Sequence, residues 1–228
     1  MKQKKKVRTI YGENGLLAKS LPNYRERPEQ IRLSNLINHG LKTDRTAIIE
    51  APTGVGKTLA MLIPVLQRLR LDEGRQFIIV TGTKVLQDQY AKKELPFMQS
   101  LGYKFNYSII KGLSNYICNL RAEDYLEHRT NLNTGILRNF LKTTKTGDVS
   151  ELSQADMISL RMSDLIISRE ECLKKKCPLS SECFYYENRR RGLAADLIVT
   201  NYHYLFTHLH LLRKSGNSFM LPHATNLI

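Results

Sequence analysis

Ile48-Ile49-Glu50-Ala51-Pro52-Thr53-Gly54-Val55-Gly56-Lys57-Thr58 is the stretch that decides the fold. Thr46 to Glu50 predicts a short, mostly apolar strand, and Thr58 to Arg70 predicts a helix. Gly54 and Gly56 permit a turn whose backbone N–H groups close around an anion. The positive end of the following helix points at the same spot. Pro52, Thr53, Gly54, Val55 and Gly56 then cradle phosphate. Lys57 neutralises the β- and γ-phosphates of ATP, and the Thr58 hydroxyl ligates Mg²⁺. Such loops usually begin with Gly; here the first position is Ala51. The competing reading is a glycine turn ahead of a surface lysine. The strand before and the helix after argue against it.

Upstream, Pro28 to Leu41 predicts an amphipathic helix with Ile31, Leu33, Leu36, Ile37 and Leu41 at helical spacing. On its first turn Gln30, with Arg27 nearby, offers a donor and an acceptor on one amide, which suits the edge of adenine. Residues 1–20 are basic and rich in small residues, and are expected to form a loose arm. Downstream, Gln76 to Thr81 predicts a buried strand, and Val85 to Lys93 a helix. Strand, loop and helix in repetition indicate an α/β fold with a parallel sheet. Ligands bind such sheets at the carboxyl ends of the strands. Thr81, Thr83 and Lys84 fall at that edge, where hydroxyls and a lysine suit a nucleic-acid backbone. A threonine helix cap with no ligand is the alternative.

Asn106 to Lys111 predicts another strand, followed by Lys111-Gly112-Leu113-Ser114-Asn115-Tyr116-Ile117-Cys118. From Asn119 to Ile167 the chain is polar and helical, with a break at Thr146-Gly147-Asp148. It reads as a helical insertion in the sheet domain. Phe184 to Arg191 predicts a basic helix ended by Gly192. Leu197 to Thr200 returns to the sheet, Asn201 begins a helix, and residues 224–228 predict the start of one more strand. The boundaries are therefore 1–20 for the arm, 21–112 for the first part of the sheet domain, 113–192 for the insertion and 193–228 for the return.

All four cysteines lie in or beside that insertion. Cys172, Cys177 and Cys183 are separated by four and then five residues, and Cys118 by 53 from the trio. Zinc fingers pair their cysteines as two short C-x₂₋₄-C steps. One distant thiol plus a close trio fits a four-thiolate iron–sulfur cluster better. Zinc and unliganded thiols stay open on spacing alone.

The 228 residues carry a net charge of +14 and a pI near 9.7. That surplus favours a polyanionic partner, above all nucleic acid. Hydrophobic content of 42% is ordinary for a globular chain. No apolar run reaches the length of a membrane span. The basic start lacks the apolar core of a secretory signal, so a cytoplasmic protein is expected.

Together these motifs resemble the DinG/XPD-like iron–sulfur helicases of superfamily 2, and within them the bacterial DinG/YoaA branch. Arg27-Pro28-Glu29-Gln30, Glu50 to Thr58, Thr81 to Gln89 (similar to motif Ia), Lys111 to Cys118, the cysteine spacing and Ala195 to His203 carry the resemblance. It runs from about Tyr24 to Ile228. It implies a RecA-like P-loop domain, here incomplete, with an inserted helical iron–sulfur domain. It implies a 4Fe–4S cluster on Cys118, Cys172, Cys177 and Cys183. It implies ATP-driven 5′-to-3′ translocation and unwinding of single-stranded and forked DNA, in repair or beside replication proteins. Lys174 to Lys176 and Arg189 to Arg191 are candidates for gripping phosphates. The family's Asp-Glu-Ala-His motif and second motor domain are not found in these residues. Turnover of ATP by this chain alone is therefore not expected. A non-catalytic single-strand-binding module and a P-loop kinase with a zinc clip are the other readings.

Overall fold

A computed structural model describes residues 9–43, 45–71, 76–129, 132–216, 220–222 and 226–228. By contacts the chain divides into two units. The first holds the described parts of residues 1–77 and 89–105, and the second those of 78–88 and 106–228. Met1 to Arg8 of the expected arm, and Ala224 and Thr225 of the last expected strand, lie outside the described residues.

In the first unit the helix predicted over Pro28–Leu41 runs Pro28–Thr43 and packs against a helix over Lys57–Leu69. The described remainder of the arm is folded, contrary to expectation. Residues 9–11 and Leu16–Ser20 are helical, and Ile10, Tyr11 and Leu17 are buried. The sequence hides this because the apolar residues are few, yet each is used. The Tyr11 hydroxyl donates to Ser34 Oγ at 2.8 Å, and the Tyr24 hydroxyl donates to the Tyr11 carbonyl at 2.8 Å.

The strand predicted over Thr46 to Glu50 is absent. That stretch has no regular structure, and Ile48 is 99% exposed. A strand needs a partner, and the four strands of the sheet lie elsewhere. The helix predicted over Val85–Lys93 is also different. It runs Lys84–Gln89, widens to π-turns over Tyr90–Glu94 and resumes over Leu95–Ser100. Pro96 has no N–H for the carbonyl four residues back, and its ring crowds that carbonyl, so the ladder loosens just ahead of it.

In the second unit the sheet has the order β2-β3-β1-β4, with β1 at Phe77–Thr81, β2 at Tyr107–Ile109, β3 at Leu197–Asn201 and β4 at Asn226–Leu227. β2 and β3 are parallel, with Tyr107 opposite Leu197 and Ile109 opposite Val199. Ile228 donates to Ile78 O at 2.8 Å and accepts from Val80 N at 2.7 Å, the spacing of a parallel pair. Every residue of β3 is buried, as a central strand covered on both faces requires. Ile78, Ile110, Ala195, Ile198, Tyr204, Leu205 and Leu221 form the core around it.

Residues 113–192 do not separate as a unit of their own. They do have their own apolar cluster, built on Ile117, Ala122, Tyr125, Leu137, Phe140, Leu160 and Leu165. Helices over Asn119–His128, Leu132–Thr143 and Gln154–Ser159 supply most of it. Gly192 does not end the basic helix, which runs Phe184–Leu193. A Cβ there would sit 2.3 Å from Ile110 Cδ1, so this glycine lets the helix pack tightly on β2.

Candidate functional site

The loop expected to hold phosphate, Ala51 to Thr58, lies in the first unit. Gly54 and Gly56 both have φ of +84°, the left-handed region that glycine enters without strain. Gly56 is the N-cap of the Lys57–Leu69 helix, so the helix opens directly on the loop. Lys57 Nζ donates to Ala51 O at 2.9 Å and Pro52 O at 3.3 Å, an exposed ammonium folded over the loop's own carbonyls. The Thr58 side chain bonds the Tyr90 hydroxyl, whose pKa burial pushes up to about 12. That phenol belongs to the π-turns, and nothing in the sequence singled it out.

Gln30 and Arg27 both reach the glycine loop. Gln30 is 3% exposed, and its Nε2 donates to Gly56 O at 3.0 Å. Arg27 donates to Gly54 O at 2.5 Å. Both side chains hold the two left-handed glycines in place. The fit at Gly56 is close: a Cβ there would fall 2.2 Å from Gln30 Nε2, whereas one on Gly54 would meet nothing within 4 Å.

Thr81, Thr83 and Lys84 lie in the second unit. Thr81 is buried, and its hydroxyl is spent on Thr83 O at 3.0 Å and Thr200 O at 3.2 Å. It shapes the turn rather than facing outward. Thr83 and Lys84 are exposed and line a groove of about 800 Å³. Lys174, Arg169, Tyr186 and Arg189 line it as well. The Arg189 guanidinium lies 5.8 Å from the Tyr185 ring centroid and 5.9 Å from that of Tyr186. Of the three arginines expected to grip phosphates, only Arg189 is among the groove's lining residues. Arg190 and Arg191 pair with Glu187 on their own helix, at 2.5 and 3.1 Å. Arg169 and Tyr186 were missed. The signal for Tyr186 was there, an aromatic pair four and three residues before an arginine on a predicted helix.

The four cysteines all line one small cavity of about 40 Å³ in the second unit. Each is half-buried and none is in a disulfide. Cys118 and Cys183 are the N-caps of the helices over Asn119–His128 and Phe184–Leu193, where the helix dipole favours a thiolate. Burial pushes the Cys183 thiol up, against hydrogen bonds from the Tyr186 and Tyr185 amides that pull it down. Lys174, in a left-handed conformation with φ of +56°, donates its N–H to Cys172 Sγ at 3.4 Å. Among the described residues, no three His, Cys, Asp or Glu side chains converge to hold a single metal ion.

Among the described residues no helix is long and apolar enough to cross a membrane. Comparison with known proteins gives one answer. The DEAD/DEAH box helicase family matches residues 27–158. The ATP-dependent DNA helicase YoaA of Haemophilus influenzae is 31% identical over all of this chain and 36% of its own length. YoaA of Escherichia coli is 30% identical over 96% of the chain and 34% of its own length. A Bacillus subtilis protein named 3'-5' exonuclease DinG is 28% identical over 93% of the chain and 24% of its own length. The chain thus spans about a third of the length of the YoaA relatives it matches. With its phosphate loop inside the matched span, the chain belongs to the DEAD/DEAH box helicase family, in a region similar to the DinG and YoaA helicases.

Proposed function

We propose that these residues form the nucleotide-holding and strand-gripping part of an ATP-dependent DNA helicase that moves 5′ to 3′ and acts in the cytoplasm on single-stranded and forked DNA, with repair or replication proteins as partners. The observation that carries the nucleotide half is the pair of left-handed glycines, Gly54 and Gly56, at the head of the Lys57–Leu69 helix. On binding, the Lys57 ammonium leaves the carbonyls of Ala51 and Pro52 for the β- and γ-phosphate oxygens. Thr58, whose side chain bonds Tyr90, would hold Mg²⁺ through its hydroxyl. Gln30 and Arg27 keep the loop in shape, and Gln30 still has its second N–H and Oε1 for an adenine contact. The ion supplies charge neutralisation between the phosphates.

The strand half rests on the groove. Lys84, Lys174, Arg169 and Arg189 offer charge for phosphates, and Tyr186 offers a ring for stacking. A 4Fe–4S cluster on Cys118, Cys172, Cys177 and Cys183 is the proposed centre of the insertion, residues 113–192. The four thiols gathered on one cavity, two of them at helix N-termini and two, Cys172 and Cys183, accepting backbone N–H groups, support it. Zinc would need its sulfurs within about 2.3 Å of one ion, whereas a cluster places a separate iron under each thiolate. When bound, the cluster ties the distant Cys118 to the trio.

Purified 228-residue chain should bind ATP, and Lys57→Ala should lose at least tenfold in affinity. Unchanged ATP affinity would sink the nucleotide reading. Anaerobic purification should give broad absorption near 400 nm that Cys177→Ser removes; a colourless protein without iron rejects the cluster. The groove lies wholly in the second unit, and this favours one alternative, a non-catalytic single-strand-binding module. DNA affinity that ignores both nucleotide and Lys57→Ala would select it.

A further inference from the structure

Lys111 is 2% exposed, among the most buried side chains of the protein. A buried ammonium is costly unless it is paired. Its Nζ donates to Asp88 Oδ1 at 2.5 Å and to Ser150 Oγ at 3.1 Å, and pairs with Asp148 Oδ2 at 2.7 Å. Its backbone N–H donates to the Tyr116 hydroxyl at 3.1 Å, and Tyr116 bridges Asp148.

The partners come from two places, and Lys111 from a third. Asp88 lies on the Lys84–Gln89 helix, whose first residue lines the groove. Asp148 and Ser150 belong to the insertion, where Asp148 Oδ1 accepts from Ser150 N at 2.9 Å. Lys111 itself follows β2. The residue next to Asp88 is equally fixed: Gln87, wholly buried, donates to Ile110 O at 2.9 Å and accepts from Asn201 at 2.8 Å. The short helix is thus fastened to the sheet through Gln87 and to the insertion through Asp88.

We infer that Lys111 is a positioning residue of the strand-binding groove, its buried cation holding the Asp88 helix and the Asp148 turn of the insertion at a fixed separation. One groove wall, Thr83 and Lys84, leads into that helix. The facing residues, Arg169, Tyr186 and Arg189, sit on the insertion. Without the cation, two carboxylates face each other across Ser150 and repel. The inference rests on the strand-gripping reading for its consequence, not for its geometry.

The test uses the whole 228-residue chain and a fluorescent oligothymidylate, with anisotropy over a salt series. Lys111→Met should lower affinity at least tenfold with an unchanged salt slope, because no phosphate contact is removed. Lys111→Arg should recover most of the loss. Asp148→Asn, a milder change that guards against simple unfolding, should shift affinity in the same direction. A lower melting temperature in Lys111→Met with unaltered affinity assigns Lys111 to packing alone and overturns the inference. A salt slope smaller by about one overturns it too, because Lys111 would then be a phosphate ligand. Hydrogen exchange separates the two readings. The amides of Ser150 and Ile117, bonded to Asp148 Oδ1 and Gly147 O, should exchange at least tenfold faster in Lys111→Met. The Ile110 amide, bonded to Val199 O on β3, should not change. Unaltered exchange overturns the inference, whereas failure of the wild-type chain to bind oligothymidylate overturns only the strand-gripping reading.

Discussion

Gly54→Ala and Gly56→Ala form a pair whose difference isolates the contact between Gln30 and the phosphate loop. Both glycines have φ of +84°. A left-handed alanine costs about 1–2 kcal/mol, so backbone strain is common to both variants. At Gly54 nothing else is added, because a new Cβ meets nothing within 4 Å. At Gly56 the Cβ would sit 2.2 Å from Gln30 Nε2 and 3.1 Å from its Cδ, and Gln30 is 3% exposed. The amide must leave, which forfeits its bond to Gly56 O for about 0.5–1.5 kcal/mol and repacks a full site for about 1–3 kcal/mol. Gly54→Ala should therefore cost about 1–2 kcal/mol and Gly56→Ala about 2.5–6.5 kcal/mol, against a total stability of about 5–15 kcal/mol. Urea denaturation followed by circular dichroism reads both. Combining Gln30→Ala with Gly56→Ala should return at least 1 kcal/mol relative to the sum of the single changes. Nucleotide binding should fall in both variants, since both strain the left-handed turns that shape the loop. Equal losses of stability at Gly54 and Gly56, or strict additivity with Gln30→Ala, would refute the reasoning.

Gly147→Ala should destabilise by about 2–5 kcal/mol in the same urea assay, because φ is +69° and the new Cβ would lie 2.1 Å from Phe184 Cγ. Asn201→Ala should cost about 2–4 kcal/mol, since Asn201 caps the Tyr202–Ser215 helix through the Tyr204 N–H and satisfies the buried Gln87 amide; a loss below 1 kcal/mol contradicts this. Tyr90 gives a pH dependence. Its folded pKa is raised from 10.0 to about 12, so its contribution is fully present below pH 10 and is lost as pH rises towards 12. The loss amounts to about 2–3 kcal/mol by pH 12. Tyr90→Phe should flatten the fall in stability between pH 10 and 12, and an unchanged slope would show that other tyrosines carry it.

The second unit was the more legible part of the chain. Phe77–Thr81 and Leu197–Asn201 are short, continuous apolar runs bounded by polar residues, and a parallel strand covered on both faces has that composition. The Pro28–Thr43 helix was legible because its apolar residues recur at helical spacing. Thr46 to Glu50 has the same local composition as a strand and forms none. Propensity is a property of the segment, but pairing is a property of its neighbours, and Ile48 at 99% exposure has none to cover it. Residues 9–20 failed in the opposite sense. Their burial comes from three scattered side chains and one tyrosine hydrogen bond to Ser34, which no window of periodicity detects.

At the site, residue type was legible and direction was not. Thr81, Thr83 and Lys84 share one strand end, and each suits a phosphate backbone by chemistry alone. Thr81 is the last residue of β1 and turns its hydroxyl to Thr200 on β3, whereas Thr83 and Lys84 lie past the strand end and are exposed. The same holds at Gln30, whose amide could read an adenine edge or tie down a loop. The choice depends on the left-handed turn at Gly56, which brings a carbonyl to 3.0 Å from Nε2. A donor buried to 3% beside an available carbonyl takes it, since an unmade bond there would cost about 1–3 kcal/mol. The bond to Gly56 O uses one N–H of the amide, so the second N–H and Oε1 remain for an adenine edge, and nucleotide recognition by Gln30 adds to the Gly56 contact rather than replacing it.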